Sequence, residues 1–126
     1  MYSNTFSINL VVASAGLAYS SGLMVCGQPI VALEIDNSVG GSALSVWKIQ
    51  AQDAEGGEWY DYLTTTDFAA GAANNLLFVS ANPASLAQGS RAHVHFRTNG
   101  VRNIRFVAQC AGTGGTTTVR GSKIDL

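Results

Sequence analysis

Two histidines two residues apart, His93 and His95, have the spacing of a metal-binding pair. They lie in RAHVHFRT, where polar and apolar residues alternate, so on a β-strand both point the same way. A zinc site takes three or four ligands from His, Cys, Asp and Glu. The chain has no further histidine, HVHFRTNGVRNIRF supplies no carboxylate, and Arg91 and Arg97 share the face, where two cations oppose a divalent ion. Arg91, His93, His95 and Arg97 therefore read as an exposed strand face. They are the candidate interface for acidic groups of a protein partner or of a second copy of the chain. No metal or other cofactor is expected.

The remaining reactive residue types lack the arrangements that catalysis needs. Cys26 and Cys110 each end an apolar run and read as small buried hydrophobes, and no local motif pairs either with a histidine as a nucleophile. Asp53, Glu55, Glu58 and Asp61 cluster in QDAEGGEWYDY. A glycosidase holds two carboxylates across a cleft, which acids around one turn seldom achieve, and the spacing is not that of an EF-hand. They read as a solvated hairpin tip, with a weak surface calcium site as the alternative. Trp47, Trp59, Tyr60 and Tyr62 fall on the same hairpin. Carbohydrate-binding β-sandwiches stack sugars on such rings; Trp47 shares its side with Ile49 and reads as core, whereas Tyr60 and Tyr62 read as exposed together.

Composition narrows the class. The chain has 126 residues, 47% apolar and only 12% charged, with a net charge of −1. That length suits one domain, 1–126. The charged fraction is about half the usual soluble value, which fits a surface partly covered by a partner. Charge is unevenly placed. Residues 1–90 carry one lysine against seven acids, and residues 91–126 carry five arginines and one lysine against one acid. Either acidic and basic strands pair across one sheet, or the body carries two opposed patches suited to docking. No nucleic-acid motif accompanies the arginines, and no apolar run approaches the length of a membrane span. The amino-terminal MYSNTFSINLVV lacks a signal-peptide layout, so production in a cytoplasm with reduced thiols is expected.

The elements that must position these residues are short strands. TFSINLVV, PIVALEID, ALSVWKIQAQ, WYDYLTT, LLFVSAN, RAHVHFRT, VRNIRFVAQC and VRGSKIDL show period two or short apolar runs, and glycines punctuate the chain between them. Residues 43–65 give the strongest hairpin signal, Asn99-Gly100 predicts a second hairpin, and the last strand reads as an edge. The expectation is an all-β, two-sheet antiparallel β-sandwich, jelly-roll-like, of about eight strands. Phe6, Ile8, Leu10, Leu33, Trp47, Ile49, Val94, Phe96, Ile104 and Phe106 form its expected core.

The pieces FSINLVV, PIVALEID, VWKIQAQDAEGGEWYDYL and NIRFVA, in that order over roughly residues 5–110, resemble small β-rich virion proteins of tailed bacteriophages, of the capsid cement or head-decoration type. DAEGGE is longer than the turn usual in that family, and RAHVHFRT has no counterpart there. The resemblance implies a non-enzymatic structural protein on the capsid surface that bridges major capsid protein subunits and associates with copies of itself. With no nucleic-acid motif and no span-length apolar run in the sequence, no nucleic-acid or membrane partner is expected. The alternative is a carbohydrate-binding or receptor-binding sandwich module of a phage tail fibre or a secreted enzyme.

Overall fold

The computed structural model describes residues 3–39, 41–71 and 73–124. Ten strands are present among the described residues: β1 (Ser3–Val12), β2 (Ala18–Tyr19), β3 (Leu23–Met24), β4 (Ile30–Val39), β5 (Leu44–Gln52), β6 (Tyr60–Leu63), β7 (Leu76–Val79), β8 (Arg91–Arg97), β9 (Asn103–Cys110) and β10 (Gly115–Ile124). One helix, α1 (Thr65–Ala70), follows β6, and a 3-10 turn spans Pro83–Ser85.

The strands form two antiparallel sheets. One has the order β1-β10-β4-β8-β7; the other has β2-β9-β5-β6, with β3 also on β9. The pairs β1·β10, β2·β9, β4·β8 and β5·β6 nest inside one another along the chain. Such nesting is a long antiparallel ribbon folded over itself, the wrapping of a jelly roll. The all-β sandwich is thus as the period-two pattern predicts. The strand count is ten rather than eight, because β2 and β3 have two residues each, too few to display a period.

Alternation sets the core. Val31, Leu33 and Ile35 on β4, Ala92, Val94 and Phe96 on β8, and Ile104, Phe106 and Ala108 on β9 all point between the sheets and are buried. Of the expected core, Leu10, Leu33, Trp47, Ile49, Val94, Phe96, Ile104 and Phe106 are buried, and Phe6 and Ile8 are half-buried against them. The Phe106 ring stacks on Trp47 at 5.6 Å and on Phe6 at 6.2 Å, joining the sheets.

Three local expectations are corrected. Asn99 and Gly100 do form a tight turn, with positive φ at both and Val101 N–H donating to Thr98 O, but the strands on either side belong to different sheets. The turn passes the chain between layers instead of closing a hairpin. The last strand, β10, is interior, flanked by β1 and β4, because the chain returns to pair with its own beginning. Strict period two along ALSVWKIQAQ sets Leu44 on the side away from Trp47, yet Leu44 is buried with it: the register shifts between Leu44 and Val46, and that irregularity resets the alternation.

Candidate functional site

The outer face of the β1-β10-β4-β8-β7 sheet carries the histidine pair. β8 turns Arg91, His93, His95 and Arg97 outward while Ala92, Val94 and Phe96 are buried, so all four share a face as the alternation predicts. Register then decides their partners. Arg91 lies across from Asp36, and His93 across from Glu34, on β4. On the other flank of β4, Arg120 of β10 lies across from Glu34. Arg120 Nη2 reaches Asp36 Oδ2 at 2.7 Å and Glu34 Oε1 at 3.2 Å, Arg91 Nε reaches Asp36 Oδ2 at 3.4 Å, and His93 Nε2 stands 3.9 Å from Glu34 Oε2. The Asp36 side chain is only 5% exposed, covered by the two arginines.

This arrangement accounts for much of the charge asymmetry: one acidic strand is clasped between two basic ones. It neutralises Arg91 and sets His93 beside Glu34, leaving the other half of the face different in character. The His95 ring packs on Phe78 at 5.2 Å, and Arg97 is exposed without a carboxylate partner among the described residues. Phe78 and Leu77, on the edge strand β7, are exposed. The face therefore runs from an internally paired ionic centre to an apolar, cationic margin. Among the described residues no three His, Cys, Asp or Glu side chains converge as metal ligands.

The outer face of the other sheet holds a second cluster. Lys48 Nζ stands 3.1 Å from Asp61 Oδ1, Gln50 Nε2 donates to Asp61 Oδ1 at 3.0 Å, and Arg105 Nε donates to Gln50 Oε1 at 2.8 Å. The Arg105 guanidinium lies over the Tyr19 ring at 4.6 Å and the Trp59 ring at 4.5 Å. Hydrogen bonds from Gln50 and Lys48 hold the Asp61 carboxyl below its ordinary range. Sequence reading missed this cluster. Arg105 does alternate outward between Ile104 and Phe106, but Tyr19 sits on a two-residue strand that no periodicity reveals.

The aromatic residues of the hairpin are placed differently from a sugar platform. Trp47 is fully buried in the core. The Tyr62 ring packs toward Phe96 at 6.4 Å and its hydroxyl donates to Arg97 O at 2.6 Å. Tyr60 is exposed, and its hydroxyl donates to Asp53 Oδ1 at 2.6 Å, a bond that pushes its pKa up to about 12. Tyr60 and Tyr62 are therefore not exposed together: Tyr62 is half-buried. Around the hairpin tip, Glu55 accepts from Arg102 Nε at 3.3 Å and from Asn103 Nδ2 at 3.4 Å, and Gln52 Oε1 accepts from Asn103 Nδ2 at 2.9 Å. Glu55 and Gln52 thus brace the tip against the start of β9.

Cys110 is buried and Cys26 is exposed, both as free thiols. Cys26 follows buried Val25 but falls in the turn after β3, which carries it out of the core. A shallow open depression of about 650 Å³ lies between α1 and the 3-10 turn, lined by Ser45, Thr65, Thr66, Asn82, Ser85 and small alanines. None of its lining residues titrates near neutral pH, so it offers no acid, base or activated nucleophile.

No protein-family model and no curated protein matches the sequence. Among solved structures, the chain is similar to the SPBc2 prophage-derived protein YomS, at 14% identity and a TM-score of 0.55, covering 97% of this chain and 96% of that one. It is more loosely similar to a chain of Bacillus endospore appendages, described as disulfide-linked pili, at 13% identity and a TM-score of 0.47, covering 99% of this chain and 88% of that one. The first likeness shows a shared fold over nearly the whole of both chains; the second is too loose to argue from.

Proposed function

We propose that the protein is a non-enzymatic structural subunit of a phage virion, which decorates the capsid surface and cements it by bridging major capsid protein subunits. The observation that carries this reading is how the polar side chains are used. On both outer faces they bind one another across neighbouring strands, over broad surfaces where the described residues form no cleft that collects reactive groups. That is a surface organised for contact. The sequence resemblance to head-decoration proteins and the prophage origin of the similar YomS fold point the same way. Bridging works through effective concentration: once one capsid subunit is held, each further weak contact is intramolecular. Association with a second copy extends the bridge.

Within this reading, the β8 face is a docking surface, with its margin of His95, Arg97 and Phe78 in contact and Arg91 held in place by the carboxylates of β4. The carbohydrate-binding alternative has less support, since the hairpin rings are buried, hydrogen-bonded or stacked on Arg105. The test is co-sedimentation of the purified chain with undecorated capsids assembled from the major capsid protein of the same genome. Saturable binding with fixed stoichiometry is expected. A chain that stays in the supernatant, yet binds a glycan array, would overturn the reading in favour of the alternative.

A further inference from the structure

We propose that Arg105 anchors a protein-docking site on the outer face of the β2-β9-β5-β6 sheet, and that the group it takes is the carboxylate of an Asp or Glu side chain of the partner. In naming a protein as the occupant, this rests on the reading of the chain as a docking subunit. Three observations carry it.

The first is charge. Arg91, Arg102 and Arg120 each pair with a carboxylate of their own chain. Arg105 is half-buried and has no carboxylate partner among the described residues. The acid at the end of its hydrogen-bond chain, Asp61, is matched by Lys48. A half-buried guanidinium of this kind is short of one negative charge.

The second is preorganisation. Two rings and the Gln50 acceptor hold the guanidinium in place, and its Nε–H is already used. The remaining Nη groups form the fork that matches a carboxylate through two parallel hydrogen bonds. An arginine normally loses much rotamer freedom on binding, and here that cost is met within the free protein.

The third is the surround. Val107 and Asn103 stand two residues to either side of Arg105 on β9, and their cross-strand partners are Tyr19 and Met24. Tyr19 is 51% exposed and Met24 54% exposed, so the cation is flanked by apolar surface along its own strand. Arg with Tyr and Trp, bordered by apolar surface on the side of β2 and β3, is the composition of an interface hot spot. The rings turn a face to the guanidinium instead of offering it to a sugar. A nucleic-acid backbone would need several free cations, and Lys48 is spent on Asp61.

The test uses the full chain and two partners. Poly-L-glutamate is titrated at neutral pH while the emission of Trp59 is followed, with Trp59→Phe identifying its signal against that of buried Trp47. Wild type is expected to respond. Arg105→Gln should weaken binding about thirtyfold, the hot-spot threshold expressed as affinity. Arg105→Lys, which keeps the charge and loses the fork, should fall between them. Circular dichroism confirms that each variant is folded. Arg105→Gln binding within twofold of wild type, or an equal response of wild type to neutral dextran, overturns the inference. Co-sedimentation with capsids separates it from the functional reading. Capsid binding unaffected by Arg105→Gln removes the inference and leaves the function standing. Glutamate binding through Arg105 by a chain that ignores capsids supports the site and removes the function.

Discussion

The Phe6 ring lies over Gly121, its partner across the β1–β10 ladder, in the space a side chain at that position would need. A Cβ at Gly121 would stand 2.9 Å from Phe6 Cζ and 2.9 Å from Leu33 Cα, and would run into Ala32 O of β4. The glycine therefore lets two strands and an aromatic ring meet closely on one residue. Gly121→Ala should destabilise the fold by about 1–3 kcal/mol, as small-to-large changes in packed sites do. Urea unfolding followed by tryptophan emission checks this, and an alanine variant as stable as wild type would refute the close approach.

Phe106 stands between Phe6 and Trp47 and so ties one sheet to the other. Phe106→Ala should cost about 3–5 kcal/mol, because the cavity it leaves is walled by two rings of fixed position. Phe6→Ala should cost less, since Phe6 is only half-buried. Equal losses at the two positions in urea unfolding would contradict the order of burial.

How far the sequence discloses this architecture depends on the length over which a pattern runs. Strands such as β8, seven residues with strict alternation, announce both their state and their inward face. The same pattern places Arg91, His93, His95 and Arg97 together. It cannot say what faces them, because the partners Glu34 and Asp36 lie more than fifty positions away in the sequence and meet them only through register. Asn99-Gly100 gives the turn but not its destination, since a tight turn fits a hairpin or a passage between sheets. Gly121 looks like a turn glycine and is instead a point of close approach inside β10. The Arg105 cluster needs Tyr19, whose two-residue strand is too short to read.

The two thiols should differ in reactivity. Cys26 is exposed and Cys110 is buried, with its sulfur 3.5 Å from Gly112 O. In the native protein a thiol-reactive dye should modify one cysteine promptly, and denaturant should release the second. Native Cys26→Ser protein should then be silent until unfolded; rapid labelling of that variant would show that β9 opens readily at its end.

Charge reversal on β8 should separate folding from docking. Arg91→Glu sets a third carboxylate against Asp36 and Glu34, so it should destabilise the fold by about 1 kcal/mol or more even after solvent screening. Arg97→Glu has no such neighbour among the described residues and should stay within about 0.5 kcal/mol of wild type. Loss of capsid binding by Arg97→Glu, at unchanged stability in urea, is the expected sign of a docking margin. If Arg97→Glu sediments with capsids as wild type does, this margin is not the interface.

Asp61 and Tyr60 on the β5–β6 hairpin tie stability to pH in opposite senses, and Tyr62, raised by burial, acts in the same sense as Tyr60. Asp61 is held below its ordinary range by bonds from Gln50 and Lys48, so the folded state binds its proton less readily than the unfolded chain. Its contribution is present above the unfolded carboxylate value and is lost as pH falls through the folded one. Tyr60 works in the opposite sense. Its pKa is pushed up to about 12, chiefly because its hydroxyl donates to the Asp53 carboxylate, with smaller contributions from burial and from the Asp53 charge. The folded state therefore keeps the phenol proton longer than the unfolded chain, whose tyrosines titrate near about 10. Stability from this bond is complete below about pH 10 and fades as pH rises toward 12. Tyr60→Phe should lower stability at neutral pH and flatten the alkaline limb, whereas Asp61→Asn should flatten the acid limb alone. Urea midpoints measured from acid to alkaline pH give both limbs, and an unchanged alkaline limb in Tyr60→Phe would place the titrating group elsewhere.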